Sequence, residues 1–182
     1  QFIGHPNNKL PGIEMNSGSL GHGLPVSVGM ALAGKMDEND YRVYTVMGDG
    51  ELAEGTVWEG AMAASHYKLD NLCAVVDRNR LQISGNTEDV MAHDDLHKRF
   101  RSFGWNVIDV ADGNDIDQLK TAFDSAKETK GKPTVLIANT VKGKGSSVME
   151  NKANWHHKVP NAEELEQIRK DLAAGKEAAL HG

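Results

Sequence analysis

The sequence predicts an α/β fold: an open, mostly parallel sheet with helices on both faces. Three observations carry this. Strand-like segments alternate with segments of helical period along the chain, the pattern of βαβ units. Two strand segments, Leu72-Cys73-Ala74-Val75-Val76 and Pro133-Thr134-Val135-Leu136-Ile137-Ala138, are nearly continuous apolar runs, as expected of strands buried on both faces. Three of the strand segments run into glycine, aspartate or asparagine, and open α/β sheets bind ligands at the carboxyl ends of their strands.

Residues 1–17 read as loop, with turn chemistry at His5-Pro6-Asn7-Asn8 and Pro11-Gly12. A glycine-rich apolar stretch follows, and helix is expected from about Leu24, with glycines where something approaches closely. Tyr41-Arg42-Val43-Tyr44-Thr45-Val46-Met47 is β-branched and aromatic, hence a strand, and it runs directly into Gly48-Asp49-Gly50. Residues 54–67 repeat Val57, Ala61, Ala64 and Tyr67 at helical spacing. The run from Leu72 ends at Asp77-Arg78-Asn79; a polar loop is expected to about Asp94, then a short helix to Phe103. Residues 105–110 form the next strand. Ile116, Leu119, Phe123 and Ala126 mark a helix, and the strand from Pro133 leads into a Gly/Lys/Ser loop. A polar helix from about Ala162 closes the sequence, its Glu163-Glu164-Leu165-Glu166 a solvated face.

Composition narrows the function classes. The 182 residues suffice for one domain with a sizeable core. Twenty Lys and Arg against 26 Asp and Glu give a net charge of −6, which argues against nonspecific nucleic-acid binding but allows a local anion site. A single cysteine, Cys73, excludes a disulfide framework and a multi-cysteine metal site, and its place in an apolar run makes it a buried, inert thiol. No apolar run reaches the ~20 residues of a membrane span. The first residues show no signal-peptide pattern, so a cytoplasmic protein is expected; without an initiator Met, a processed or cut chain is also expected.

The chemistry concentrates at three strand ends: Gly48-Asp49-Gly50, Asp77-Arg78-Asn79 and Thr140-Val141-Lys142-Gly143-Lys144-Gly145. Asp49 offers a carboxylate between glycines that let a ligand approach the backbone, and Asn79 offers an amide oxygen at the next strand end, thirty residues on. With a nearby main-chain carbonyl these are hard oxygen donors suited to magnesium or calcium, with positions left for phosphate oxygens. A lone Gly-Asp-Gly is ordinarily a turn; the flanking strand, helix and Asp-x-Asn make it a diphosphate and metal site. Asp49 is expected to face the surface, so that its removal leaves the fold largely intact.

The string Gly48-Asp49-Gly50-Glu51-Leu52-Ala53-Glu54-Gly55, with Trp58-Glu59-Gly60-Ala61, Leu69-Asp70-Asn71-Leu72 and Val76-Asp77-Arg78-Asn79-Arg80-Leu81-Gln82, resembles the diphosphate-binding domain of the transketolase family. Gly4-His5-Pro6, Gly18-Ser19-Leu20-Gly21-His22-Gly23-Leu24 and the loop from Lys142 to Trp155-His156 resemble its flanking segments, so the likeness spans nearly the whole chain. The resemblance implies a thiamine diphosphate- and Mg2+-dependent enzyme, with Ca2+ a possible substitute. Such an enzyme transfers a two-carbon ketol unit between sugar phosphates, as in the pentose phosphate pathway.

Carried over residue by residue, Asp49 and Asn79 would hold the metal by side chain and Leu81 by its carbonyl. Gly48 and Gly50 would admit the diphosphate. Gly18 and Leu20 would lie beside the cofactor, Ile83 and Val141 would make apolar contacts, and His5 and His156 would face the reacting carbon. Glu54 and Glu59 would join a buried carboxylate network between paired active sites. Three departures stand out: His22 replaces the usual Gln, His157 replaces a Gly and leaves His156 and His157 as alternatives, and the family's segment before residue 1 is missing.

The family's catalytic carboxylate, which bonds the aminopyrimidine ring, sits on a pyrimidine-binding domain absent from this sequence. A split enzyme is therefore expected. Residues 1–182 would be its diphosphate-binding domain without the N-terminal portion, a C-terminal subunit would supply the missing domain, and such pairs would dimerise. Deoxyxylulose-phosphate synthase, or a noncatalytic metal- or diphosphate-binding fragment, is the alternative.

Other motifs read as structure. His93 and His97 share the i, i+4 spacing of helix metal ligands, but no Glu follows His93; with Asp94 and Asp95 they read as polar surface at a helix start. Gly143-Lys144-Gly145-Ser146 lacks the glycine spacing of a P-loop, and Gly18-x-x-Gly21-x-Gly23 has the wrong order for a dinucleotide site.

Overall fold

The computed structural model describes residues 4–181; the loop expected over residues 1–3 lies outside these. Four strands, β1 (Val43–Gly48), β2 (Leu72–Arg78), β5 (Asn106–Val110) and β6 (Thr134–Asn139), form one all-parallel sheet in the order β1-β2-β6-β5. All four lie where the sequence places them. The central pair β2 and β6 is buried along almost its whole length, as their continuous apolar sequences require.

Helices α1 (Gly23–Met36), α2 (Gly55–His66) and α4 (Leu96–Ser102) cover one face of the sheet. Leu24, Val28, Ala31, Val57, Ala61, Leu96 and Phe100 pack there against Val43, Met47, Ala74, Val76, Val135 and Ile137. Small residues let α1 and α2 approach closely: a Cβ at Gly60 would lie 3.3 Å from the Pro25 nitrogen. Helix α5 (Ile116–Glu128) covers the other face, seating Ala122 and Ala126 on Cys73, Val75, Leu136 and Ala138. Asp115 caps it, accepting from the amides of Asp117 and Gln118. Tyr44 and Val46 on that face of β1 remain exposed, Val46 at 73%. Helix α6 (Ala162–His181) lies mostly exposed, as its acidic sequence predicts.

Two sequence expectations need correction. The expected polar loop before Asp94 contains a hairpin, β3 (Leu81–Gln82) with β4 (Gly85–Asn86), and one turn of helix, α3 (Thr87–Met91), capped by the Asn86 side chain. These pieces are too short to show a period. His93 is not polar surface but 1% exposed, with neither ring nitrogen hydrogen-bonded. Its amide donates to Glu88 Oε2 at 3.1 Å, and Asp94 takes a left-handed conformation, φ 50°, which folds the segment inward. Burial, and then the Arg78 guanidinium, push the His93 pKa down, so the ring sits neutral. His97 does lie at the surface, bonded to Asp109 at 2.9 Å.

Candidate active site

The carboxyl ends of β1 and β2 and the loop after β6 enclose a cleft of about 470 Å3. Gly48, Asp49, Gly50, Asp77, Asn79, Leu81, Ile83, Leu20 and His156 all line it. The sheet register explains the convergence: Gly48 pairs with Asp77 and Arg78 with Asn139, so the three strands end level.

The glycine turn before α1 is tied to the end of β1 by Glu51, a residue to which the sequence pattern assigned no role. Its Oε1 accepts from Gly21 N at 2.8 Å and its Oε2 from Gly48 N at 3.1 Å. The Thr56 hydroxyl donates to the Gly21 carbonyl at 2.9 Å. Gly21 has φ +84°, and a Cβ there would stand 2.6 Å from Thr56 Oγ1 and 2.7 Å from Glu54 Cβ, so glycine is required. These bonds bring Leu20, 57% exposed, to the cleft. An acid two positions after Asp49, facing a helix start, was the available signal for Glu51.

Asp49 is 1% exposed, not surface-facing as the sequence suggested. Its Oδ1 accepts from Gly50 N at 3.0 Å; its Oδ2 accepts from Arg80 N at 2.7 Å and Arg78 Nη1 at 3.1 Å. The Asp-Arg-Asn tripeptide supplies that guanidinium, which packs behind the strand end and draws the carboxylate into the wall. Asn79 Oδ1 accepts from Leu81 N at 2.9 Å, an Asx turn that aims this short loop, with Arg80 at φ 65°. Asp77 accepts from the Thr140 hydroxyl, joining the ends of β2 and β6.

Beyond Thr140 the chain returns over the cleft. Val141 N donates to Asn114 Oδ1 at 2.8 Å, and Ser147 is held to Asp171 of α6 by its amide and hydroxyl, both at 2.7 Å. Lys142 and His156 enter the cleft from this loop, whereas His157 stacks edge-on against His156 without lining it. Burial, Lys142 and His157, in that order, lower the His156 pKa, which favours the neutral ring near pH 7.

The remaining expected site residues lie outside the cleft lining. His5 packs its ring on Gly18, whose Cβ would come within 2.4 Å of it. Val141 is half-buried next to Lys142 and does not line the cleft. Glu54 and Glu59 are exposed on the α2 side, not buried within this chain. Cys73 is fully buried, and burial raises its thiol to about 11.

The residues present fit a metal-bound diphosphate. Among the described residues no three His, Cys, Asp or Glu side chains group as a metal cluster. Any ion here would therefore take at most two such side chains, with amide and carbonyl oxygens completing the donor set of a hard cation. The buried Oε1 of Gln82, which also lines the cleft, has no hydrogen-bond partner. A Cβ at Gly48 would meet no atom within 4 Å, so the missing side chain leaves open space at the strand end.

Comparison with known proteins agrees with this geometry. Residues 1–180 match the family described as transketolase, thiamine diphosphate binding domain. The chain is 51% identical over 170 residues to an apulose-4-phosphate transketolase subunit of Phocaeicola vulgatus, covering 93% of this chain and 60% of that protein. A 6-deoxy-6-sulfo-D-fructose transketolase subunit of a Clostridium species is 44% identical over 146 residues, 80% of this chain and 53% of that one. The chain thus spans little more than half the length of these curated relatives. Among solved structures, Campylobacter jejuni transketolase superposes with a TM-score of 0.88 at 29% identity, over 93% of this chain and 28% of that one. Pichia stipitis transketolase in complex with a sedoheptulose phosphate gives 0.85 at 32% identity, over 93% and 27%. The parallel sheet, the cleft at its carboxyl edge and the match across residues 1–180 agree: this chain belongs to the transketolase family, as its thiamine diphosphate binding domain.

Proposed function

We propose that residues 1–182 form the diphosphate-binding domain of a two-chain transketolase that uses thiamine diphosphate and Mg2+. It moves a two-carbon ketol unit from a ketose phosphate to an aldose phosphate in the cytoplasm. The observation that carries this is the convergence of Asp49, Asn79, Leu81, Gly48 and Gly50 on one cleft with His156. Asp49 Oδ1, Asn79 Oδ1 and the Leu81 carbonyl hold the metal, and the glycine backbone at 48 and 50 receives the diphosphate. Thiamine diphosphate, when bound there, would supply the nucleophilic carbon for two-carbon transfer. His156, neutral near pH 7, can accept or share a proton at the substrate's oxygen, and Leu20 and Ile83 keep the adjoining wall apolar.

A second chain supplies the aminopyrimidine-bonding carboxylate, and Glu54 and Glu59 meet the interface of paired sites. Two relatives named as transketolase subunits support the split arrangement. Calorimetric titration of thiamine diphosphate into the chain plus its partner tests this reading. Binding that needs Mg2+, with ketol transfer from apulose 4-phosphate, 6-deoxy-6-sulfo-D-fructose or an ordinary ketose phosphate, is expected. Binding unchanged by EDTA overturns the metal assignment.

A further inference from the structure

Two charged residues outside the cleft are coupled to its carboxylate. Arg78 ends β2, and strand alternation sends Asp77 into the cleft and Arg78 to the opposite side. The guanidinium lies in the wall between the cleft and a second pocket, its side chain 10% exposed. Nη1 donates to Asp49 Oδ2 at 3.1 Å and to Thr87 Oγ1 at 3.2 Å; Nη2 donates to Glu88 Oε1 at 2.6 Å. Glu88 is itself fixed. Its amide is capped by Asn86 at 2.9 Å, and its other oxygen accepts from His93 N at 3.1 Å. The hydrogen bond from Arg78 comes first among the causes that lower the Glu88 pKa, so the carboxylate stays charged.

The consequence falls on Asp49. With Arg78 Nη1 and Arg80 N both on Oδ2, that oxygen has used both lone pairs. Oδ1 accepts only from Gly50 N and keeps one. Asp49 can therefore give a cation one oxygen and not two. Mg2+ demands compact octahedral geometry with single-oxygen ligands, whereas Ca2+ accepts bidentate carboxylates and higher coordination. Charge follows the same logic. Arg78 alone would cancel the charge of Asp49; Glu88 restores one negative charge without touching the ion.

We infer that Arg78 and Glu88 are positioning residues that set cation choice: Arg78 holds Asp49 monodentate and so favours Mg2+ over Ca2+, while Glu88 offsets the guanidinium charge. This rests on the metal site assigned above. The guanidinium offers a planar fork, so a residue of similar length without donors frees Oδ2.

The test titrates MgCl2 and CaCl2 separately into the full chain with its partner chain and thiamine diphosphate, following tryptophan fluorescence. In Arg78→Met the preference for Mg2+ over Ca2+ should fall by about tenfold, the scale on which outer partners tune metal affinity. Glu88→Gln should weaken both ions together, on the order of fivefold, with their ratio kept. The Glu88 side chain is 38% exposed, so this variant folds even where Arg78→Met does not. A ratio within twofold of wild type in Arg78→Met, or unchanged affinities in Glu88→Gln, overturns the inference while leaving the metal site standing. No cation response in the wild-type complex overturns both.

Discussion

Replacing Asp49 by Ala should unfold the domain more easily as well as abolish cofactor binding. Asp49 is 1% exposed and accepts three hydrogen bonds, two from backbone amides and one from a guanidinium that is itself 10% exposed. Removing one partner of a buried ion pair costs about 3–5 kcal/mol, because the other charge stays buried. Glu88 still neutralises Arg78, which places the loss near the lower end. For a domain of this size each kcal/mol moves the melting temperature by about 2–4 °C, so a fall of about 10 °C is expected. Asp49→Asn keeps one oxygen and the side-chain shape and should lose less. Thermal unfolding by far-UV circular dichroism of the metal-free chain reads this directly. An Asp49→Ala midpoint within about 2 °C of wild type would refute the reasoning and restore the surface-facing carboxylate that the sequence suggested.

Further outcomes follow from neighbouring geometry. Lys142→Ala should raise the pKa of His156, since Lys142 stands second only to burial among the causes lowering it; NMR titration of the ring checks this, and an unmoved or lowered value contradicts it. Gly21→Ala should cost about 2 kcal/mol or more, from a positive φ and contacts of 2.6 and 2.7 Å, whereas Gly175→Ala, in open space on α6, should stabilise by up to about 1 kcal/mol; urea unfolding separates the two. Asp70 carries a depressed pKa: burial opposes the shift, but the Gly131 amide and Lys35 outweigh it. Its stabilisation is therefore present at neutral pH and is lost as pH falls through the folded-state value. The destabilisation of Asp70→Asn should shrink as pH drops below the ordinary 3.8, and a penalty independent of pH would count against the pairing. Cys73, with its thiol at about 11, should resist iodoacetamide at pH 8 until the chain is denatured.

What the sequence could and could not say divides along physical lines. The central strands β2 and β6 were legible because burial on both faces writes an uninterrupted apolar run, β1 because its residues are β-branched and aromatic, and α5 because its apolar stripe has one period. The strand-end residues Gly48, Asp49 and Asn79 were legible because a parallel sheet fixes where ligands meet it, and Leu81 only through the family resemblance; all four share one cleft. The hairpin β3–β4 and helix α3 escaped because two to five residues show no period. His93 escaped because its burial depends on a turn at Asp94 and an amide bond to Glu88, neither written in local polarity. The depth of Asp49 escaped for a related reason. Strand alternation hints at the side Arg78 faces, but its reach to Oδ2 is a tertiary fact. The choice between His156 and His157 needed the loop path, anchored at Asn114 and Asp171.

The strand order also dictates a sequence of assembly. β6 is the last strand in the chain, yet it lies between β2 and β5, pairing Cys73 and Asn106 alike to Thr134. During synthesis β1 and β2 emerge early, with α1 and α2 ready to cover one face, but the inner edge of β2 has no neighbour until residues 134–139 arrive. That edge is the apolar run from Leu72 to Val76, an exposed template for pairing with another chain while it waits. Its closure over so long a loop makes folding slow relative to a helical domain of equal size. Any release or truncation before residue 139 leaves a sheet with its middle strand missing, and such products should aggregate rather than persist as smaller folded units.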